Sequence, residues 1–326
     1  MKAAPGVIDC LTEGFSLVTR FLWVVLFPIA LDAVLYFAPR ITAQPVVEQF
    51  LATYSQAIAA AGNTSSVFGG TDLQMVETIG QSVGQMNLLG LLSWNPVGAV
   101  VPSFVAGLSS SAGETLTVAT AGNFLALVLG VQLVGLLLGS LYLGLIGQLV
   151  RDGRPSLGRL LGRVGRYWLT FLAFIGLLLA AVLLLSLVIA VLSLVSLSLA
   201  EFLSAALTTA AFFVGLLLAI YLYFLTAAVV VGERGPLDAA RSSFRVVQGN
   251  FWSSIFLIAL TFVIGQGMLV IWDRLADGSW GVLLAVVGSA FVTSGLTAAS
   301  MYFYWGRARG AVAPSARDAG REDASS

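Results

Sequence analysis

Residues Gly235–Leu260 read GPLDAARSSFRVVQGNFWSSIFLIAL, a short stretch of mixed polarity that runs directly into an apolar one. At helical spacing, four apolar residues share one face: Leu237, Ala240, Phe244 and Val247. Three polar residues share the other: Arg241, Arg245 and Gln248. A helix with this pattern lies in the plane of a membrane surface. The stretch therefore predicts an elbow, which we define as a short surface helix followed by a membrane-spanning helix.

The same pattern occurs near the start of the chain, where Gly6–Leu31 reads GVIDCLTEGFSLVTRFLWVVLFPIAL. Aligned without gaps, the two segments are identical at nine of 26 positions, including the tryptophans Trp23 and Trp252. A weaker third copy is predicted at residues 155–178, where GRYW resembles GNFW. The copies enter the membrane from the same side, so the predicted repeat is parallel and not inverted.

The composition supports a membrane protein and excludes several kinds of site. Hydrophobic residues make up 58% of the 326-residue chain and charged residues 10%, against roughly 25% charged in soluble domains. The chain has no histidine, one cysteine (Cys10) and one lysine (Lys2). Zinc sites built from His and Cys, Ser-His or Cys-His catalysis and a phosphate-binding P-loop are therefore excluded. We expect no enzyme, metal or cofactor. With 16 basic and 16 acidic residues, we expect no nucleic-acid partner either.

Apolar stretches of about 20 residues mark membrane spans. They predict an all-α polytopic membrane bundle with six spans, at residues 21–37, 123–150, 167–190, 204–231, 251–272 and 281–305. Residues 167–231 have room for two long or three short spans. Two spans keep both flanking arginine-rich segments on one side, with the turn near Glu201.

The distribution of basic residues predicts the orientation. In the six-span arrangement, 14 of the 16 basic residues are cytoplasmic, and only Arg40 and Arg274 are outside. The sequence thus predicts a bacterial inner-membrane protein with both termini in the cytoplasm. Residues 1–305 form a single membrane domain, and 306–326 are a disordered tail. The first span is interpreted as an uncleaved anchor, since no small-residue cleavage site follows it.

The outer loop, residues 38–122, contains two apolar stripes at helical spacing. One consists of Val46, Val47, Phe50, Leu51, Tyr54 and Ile58, and the other of Leu73, Val76, Ile79, Val83, Met86 and Leu89. They predict two amphipathic helices that form an extracytoplasmic cap, either as a packing lid or as a ligand-gathering surface. The apolar stretch 91–108 is broken by prolines and is a poor span.

Three polar residues within or beside the apolar stretches form a candidate intramembrane site: Asp32, Gln132 and Gln266. Asp32 follows Pro28, which is predicted to kink the first span. Acids inside membranes are usually functional. The alternative is that Asp32 lies near the outer interface and contacts water or Arg40, and that the glutamines only pack between helices.

Small residues form one face of the second span: Gly135, Gly139, Ser140, Gly144 and Gly147. This face predicts close helix packing. Four arginines flank predicted spans on the cytoplasmic side and are predicted to face lipid headgroups: Arg163, Arg166, Arg241 and Arg245. The alternative is ordinary positive-inside anchoring.

The signature GPLDAARSSFRVVQGNFW followed by a span resembles a pattern in bacterial six-span proteins. These are the YciC-like proteins and the membrane domain attached to some glycerophosphodiester phosphodiesterases. The resemblance covers about 25 residues well and the six-span plan loosely. It implies a membrane scaffold without the catalytic barrel, which requires histidine. The long outer loop departs from the compact plan of this group.

The sequence favours a non-catalytic scaffold or assembly partner linked to envelope lipids. Its expected partners are membrane lipids and another membrane protein. The alternative is a transporter or permease-like subunit that moves a small or lipidic substrate past Asp32 and the glutamines. A lipid-modifying enzyme is disfavoured because the catalytic residue types are missing.

Overall fold

The computed structural model describes residues 5–60, 73–107, 114–193, 197–276 and 278–310. Its helices are α1 (Val7–Arg20), α2 (Leu26–Phe37), α3 (Gln44–Ala60), α4 (Leu73–Gln85), α5 (Ala121–Asp152), α6 (Leu157–Ser193), α7 (Leu197–Tyr221), α8 (Leu225–Val230), α9 (Pro236–Gly249), α10 (Phe251–Leu275) and α11 (Gly278–Gly310). Two three-residue strands, β1 (Arg40–Thr42) and β2 (Thr115–Thr117), pair in parallel. The fold class is therefore all-α, as predicted.

Four helices are long and apolar enough to cross a membrane: α5, α6, α10 and α11. They contain the predicted spans at 123–150, 167–190, 251–272 and 281–305. A fifth crossing exists if α1 and the segment Leu22–Phe37, bent by 89° relative to each other, count as one broken span. Their length and composition are those of a multi-pass membrane protein.

The first predicted span, 21–37, is not one continuous helix. Leu22–Val25 is a 3₁₀ turn, and α2 begins at Leu26. Pro28 is the third residue of α2, a position at which an intrahelical N–H donor is not needed. The predicted kink at Pro28 is therefore wrong, and the bend in the chain precedes it.

The region 167–231 also differs in detail from the prediction. The connection between α6 and α7 follows Ser193, and Glu201 lies within α7 instead of at the turn. Glutamate is a good helix former, so a single one does not end a helix. The fourth predicted span is interrupted between Tyr221 and Leu225, where α7 ends and α8 begins.

The two segments aligned in the sequence form helices with matching ends. Both α1 and α9 have 14 residues. They follow Gly6 and Gly235, whose backbones are both extended (φ −62°, ψ 167° and φ −69°, ψ 174°). They end at Phe21 and Asn250, which also share one conformation (φ −124°, ψ 55° and φ −140°, ψ 44°). By contrast, α6 passes without a break through residues 165–168, so the predicted third copy has no elbow there.

The burial of α1 and α9 also matches, position by position. The buried residues of α1 are Cys10, Gly14, Leu17 and Val18. Their aligned counterparts in α9 are buried too: Ala239, Ser243, Val246 and Val247. The degree of burial differs only at the aligned pairs Glu13/Ser242 and Phe15/Phe244. Each helix therefore packs the equivalent face against the protein.

The described chain forms two compact units. The first unit comprises the described residues of 1–27, 140–170 and 220–326, and the second those of 28–139 and 171–219. Helices α5 and α6 each contribute residues to both units.

In the first unit, α1 lies against α11 through glycines. A Cβ atom on Gly14 would stand 2.6 Å from the carbonyl oxygen of Gly295, so only glycine fits there. Phe224 stacks on Phe303, with ring centroids 5.1 Å apart. The last helix continues to Gly310, beyond residue 306 at which the tail was predicted to begin, and residues 311–326 lie outside the described part of the chain.

In the second unit, α3 packs against α4, because Gly80 and Gly84 admit the side chains of Leu51 and Val47. These are the two helices predicted from the apolar stripes of the outer loop. The predicted turn at 62–66 lies outside the described residues.

Candidate functional site

Asp32 on α2 is 1% exposed and accepts three hydrogen bonds. One carboxylate oxygen accepts from the Ser103 hydroxyl and from the Val105 backbone N–H at 3.0 Å. The other accepts from the Phe104 N–H at 3.2 Å. The Ser103 hydroxyl oxygen in turn accepts from the Ala106 N–H at 3.0 Å. We call Asp32 and the three groups that donate to it the Asp32 network.

The partners of Asp32 belong to a stretch without α-helix, Asn87–Gly107, which we call the buried segment. It contains two 3₁₀ turns, Leu88–Ser93 and Val105–Gly107. Its most buried side chains are Leu88, Ala99, Val101 and Phe104. A buried irregular backbone must find partners for its own N–H and C=O groups, and neighbouring side chains provide them here.

Two asparagines satisfy part of this backbone. The Asn95 side chain accepts from the N–H groups of Val97 and Ala99, both at 3.1 Å, and donates to the Ala99 carbonyl at 2.8 Å. The Asn87 side chain accepts from the N–H of Ile41 in β1 at 3.2 Å. These bonds fold the segment into turns and attach it to the short ladder.

Helix α5 holds the same segment from another side. The Gln132 amide donates to the Trp94 carbonyl at 3.1 Å. A Cβ on Gly135 would come 2.7 Å from the carbonyl oxygen of Leu92, and one on Gly139 would come 2.0 Å from another carbonyl oxygen of the segment. Glycine is therefore required at both positions, since it lets the two backbones approach.

The predicted small-residue face of α5 consequently serves two kinds of neighbour. Gly135 and Gly139 contact the non-helical buried segment, which the sequence prediction did not include. Gly144 contacts Tyr167 of α6 at 3.2 Å, and Gly147 contacts Val230 of α8 at 2.9 Å, both measured from an added Cβ. Among the four glycines of this face, close helix packing, as predicted, occurs at Gly144 and Gly147.

Of the three predicted polar residues, Asp32 and Gln132 contact one and the same segment. Gln266 is exposed on α10 in the first unit and is not among the partners of Asp32. Arg40, the alternative partner considered for Asp32, instead donates to the Gln85 carbonyl at 2.6 Å.

The four arginines predicted to face lipid headgroups fall into two pairs. Arg163 forms an ion pair with Glu233, and Arg166 donates to the Glu233 carbonyl. Arg151 also pairs with the Glu233 carboxylate. Glu233 has φ +50°, an uncommon conformation for a residue other than glycine. We call these three arginines and Glu233 the arginine clamp.

The other pair lies on the exposed side of α9. The Arg241 side chain is 72% exposed, and its guanidinium lies 3.9 Å from a carboxylate oxygen of the equally exposed Asp238. Arg245 is also exposed. These two side chains are therefore available to groups outside the protein, whereas Arg163 and Arg166 are engaged within it.

Several residues of the site were not singled out in the sequence. Asn95 was detectable, because Asn followed by Pro96 is a turn signal whose amide typically accepts from nearby backbone N–H groups. Ser103 and Glu233 carry no such signal. Their partners are distant in sequence, and no local spacing indicates them.

Among the described residues, no three Cys, Asp or Glu side chains gather in a way that could hold a metal ion. The Asp32 network offers hydrogen bonds from fixed donors and no second acid. No protein-family model, curated protein or solved structure matches this chain.

Proposed function

We propose that this chain is a non-catalytic multi-pass protein of the bacterial inner membrane, with six spans and cytoplasmic termini, that acts as a scaffold or assembly partner linked to envelope lipids. The proposal rests on the structural role of Asp32. Its carboxylate is buried and accepts three hydrogen bonds that fix the buried segment. The acid best placed for transport is thus engaged in holding the fold.

The six-span arrangement is supported by the four long apolar helices, the bent α1–α2 pair and the interrupted α7–α8 pair. The matching ends and burial of α1 and α9 support a duplicated elbow. The resemblance to YciC-like proteins favours the same plan. In this arrangement α3 and α4 form the extracytoplasmic cap, and the arginine clamp lies on the cytoplasmic side.

The scaffold proposal is tested by native mass spectrometry of the full chain, extracted in lipid nanodiscs at its normal expression level. We expect a second membrane protein at fixed stoichiometry. A retained small molecule or lipidic substrate, with no protein partner, would contradict the proposal and favour transport.

The orientation is tested with single cysteines and a membrane-impermeant thiol reagent. Native Cys10 is 1% exposed and therefore a poor reporter. In a Cys10→Ser background, we expect Ser55→Cys on exposed α3 to react in intact cells. Arg154→Cys, in the exposed turn before α6, is expected to react only after the cells are opened. The reverse pattern would refute cytoplasmic termini.

A transporter or permease-like subunit remains the second candidate because of the buried segment. Non-helical backbone at membrane depth is tolerated where it is enclosed by protein or lines a path for substrate. The Asp32→Asn variant tests this candidate. If the variant accumulates and unfolds like wild type but no longer takes up a small or lipidic substrate, transport is favoured over the scaffold.

A further inference from the structure

The exposed side of α9 combines apolar and basic side chains. Leu237 is 62% exposed and Phe244 45% exposed. The predicted division of α9 into an apolar and a basic face is wrong here, because Arg241 and Arg245 follow Leu237 at helical spacing and are exposed on the same side. Trp252, at the start of α10, is 81% exposed. We call Leu237, Arg241, Phe244, Arg245 and Trp252 the α9 face.

The opposite side of α9 is fixed to the protein, so the helix cannot rotate the α9 face inward. The Ser242 hydroxyl lies 2.7 Å from the Tyr304 hydroxyl, within hydrogen-bonding distance. The Ser243 hydroxyl donates to the Tyr221 carbonyl, also at 2.7 Å. At the edge of the α9 face, the Phe244 ring also stacks against the Tyr221 ring, with centroids 4.4 Å apart. The positions at which Arg241 and Arg245 leave the helix are therefore fixed.

The charge of this face is not a general property of elbows in this chain. At the positions aligned with Arg241 and Arg245, α1 has Thr12 and Ser16, which are also exposed. The position aligned with Leu237 is Ile8, exposed to 69%. Both helices thus expose an apolar residue at the same place, and only α9 adds two cations to it.

The excess of positive charge extends beyond α9. Segments 151–166 and 232–250 together contain eight arginines and three acids, which are Asp152, Glu233 and Asp238. Guanidinium groups bind phosphate oxygens with paired N–H donors. An apolar side chain beside them enters the boundary between headgroups and acyl chains. This combination fits one occupant, a phospholipid with net negative charge.

We propose that the α9 face binds the phosphate headgroup of an anionic glycerophospholipid in the leaflet on its side of the membrane. Arg241 and Arg245 hold the phosphate, and Leu237 and Phe244 contact the start of the acyl chains. The inference rests on the proposed membrane function and adds the ligand class of one of its surfaces.

The test uses native mass spectrometry of the full chain in an uncharged detergent, titrated with phosphatidylglycerol or with phosphatidylcholine of the same acyl chains. We expect tighter binding of phosphatidylglycerol. The double variant Arg241→Thr/Arg245→Ser, which gives α9 the residues of α1, is expected to weaken phosphatidylglycerol binding on the order of 30-fold. Phosphatidylcholine binding is expected to change little.

A matched control, Arg154→Thr/Arg159→Ser, removes two cations from the exposed turn and start of α6. We expect it to retain phosphatidylglycerol binding within about 3-fold. By contrast, Arg241→Lys/Arg245→Lys keeps the charge but loses the paired N–H donors, so we expect it to weaken binding by more than about 3-fold. Equal losses in the two charge-removing variants would overturn the proposal, since net charge alone would then explain binding. Displacement of the lipid by millimolar inorganic phosphate would overturn it as well.

The outcome is independent of the scaffold test. A protein partner found together with no lipid preference would leave the proposed function intact and refute the lipid site. A preference for phosphatidylglycerol without a protein partner would support the lipid site and refute the scaffold.

Discussion

The first elbow, formed by α1 and α2, and the second elbow, formed by α9 and α10, follow the same local backbone path but are held by different chemistry. At one buried position α1 has Gly14, which brings its backbone against α11. The aligned residue of α9 is Ser243, whose hydroxyl bonds to the Tyr221 carbonyl. Close backbone contact requires glycine, whereas a hydrogen bond requires a hydroxyl. The same buried positions can therefore be kept in two helices of matching length and ends while the side-chain chemistry that fixes them differs.

The two elbows also differ within their apolar helices. Asp32 of α2 aligns with Thr261 of α10. Asp32 binds three donors of the buried segment, whereas the Thr261 hydroxyl lies 2.9 Å from the Tyr223 hydroxyl. Asp32 of the first elbow therefore anchors an irregular segment, whereas Thr261 of the second elbow contacts a tyrosine side chain. Placing the residue of one elbow at the aligned position of the other tests which contacts each elbow needs for its stability.

The largest effect is expected for Asp32→Thr, which gives the first elbow the residue of the second. The N–H groups of Phe104 and Val105 and the Ser103 hydroxyl would lose their acceptor. We expect the free energy of unfolding to fall by about 4 kcal/mol, because several buried donors become unpaired together. Unfolding in mixed micelles with increasing SDS measures this change.

A control for that exchange is Thr261→Val in the second elbow. It removes a single hydroxyl pair, so a loss of about 1 kcal/mol is expected. If Asp32→Thr is no less stable than Thr261→Val, the Asp32 network does not hold the buried segment.

Gly14→Ser places the residue of α9 in α1 and is expected to have the second largest effect. The added side chain would meet the backbone of α11 at Gly295 and Ala299. We expect a loss of about 3 kcal/mol from overpacking, measured by thermal unfolding in detergent. Glu13→Ser, at the neighbouring exposed position, should change stability by no more than about 0.5 kcal/mol. Equal stability of the two variants would refute the close contact.

Ser243→Ala tests the chemistry of the second elbow. The Tyr221 carbonyl would lose its donor at the end of α7, and we expect a loss of about 1.5 kcal/mol. Gln248→Ala, on the exposed side of α9, is expected to be neutral. A neutral result for Ser243→Ala would indicate that shape alone positions α9.

The smallest effect is expected for Thr12→Arg/Ser16→Arg, which gives α1 the charges of α9. Both positions are exposed, so stability should not change. If α1 also lies at the lipid surface, the variant protein should prefer phosphatidylglycerol over phosphatidylcholine about 3-fold or more strongly than wild type does. No gain in lipid preference would show that the exposed sides of the two elbows have different surroundings.

The long helices α5, α6, α10 and α11 were predictable because apolar length alone marks a span. The equal lengths and similar ends of α1 and α9 agree with the alignment of Gly6–Leu31 with Gly235–Leu260, in which identical residues recur in register. The buried side of α9 was not predictable from amphipathicity alone. Leu237 and Phe244, for example, are exposed although they are apolar.

The partners of Asp32 were not predictable, because Ser103 lies 71 residues away in an irregular stretch. Helical and strand periodicities describe regular elements and give no register for such a segment. The role of Pro28 was missed for a related reason. A proline is compatible with both a kink and a helix start, and only the location of the preceding turn distinguishes them.

The burial of Cys10 has a consequence for kinetics. The chain contains a single thiol, and it lies in the contact of α1 with Arg307 of α11. A thiol reagent reaches this sulfur only while α1 is detached from α11. If α1 returns to α11 faster than the reagent reacts, the alkylation rate reports the equilibrium between the attached and detached states of α1. The native protein thus contains its own probe of how often the first elbow opens, and no label has to be introduced to follow it.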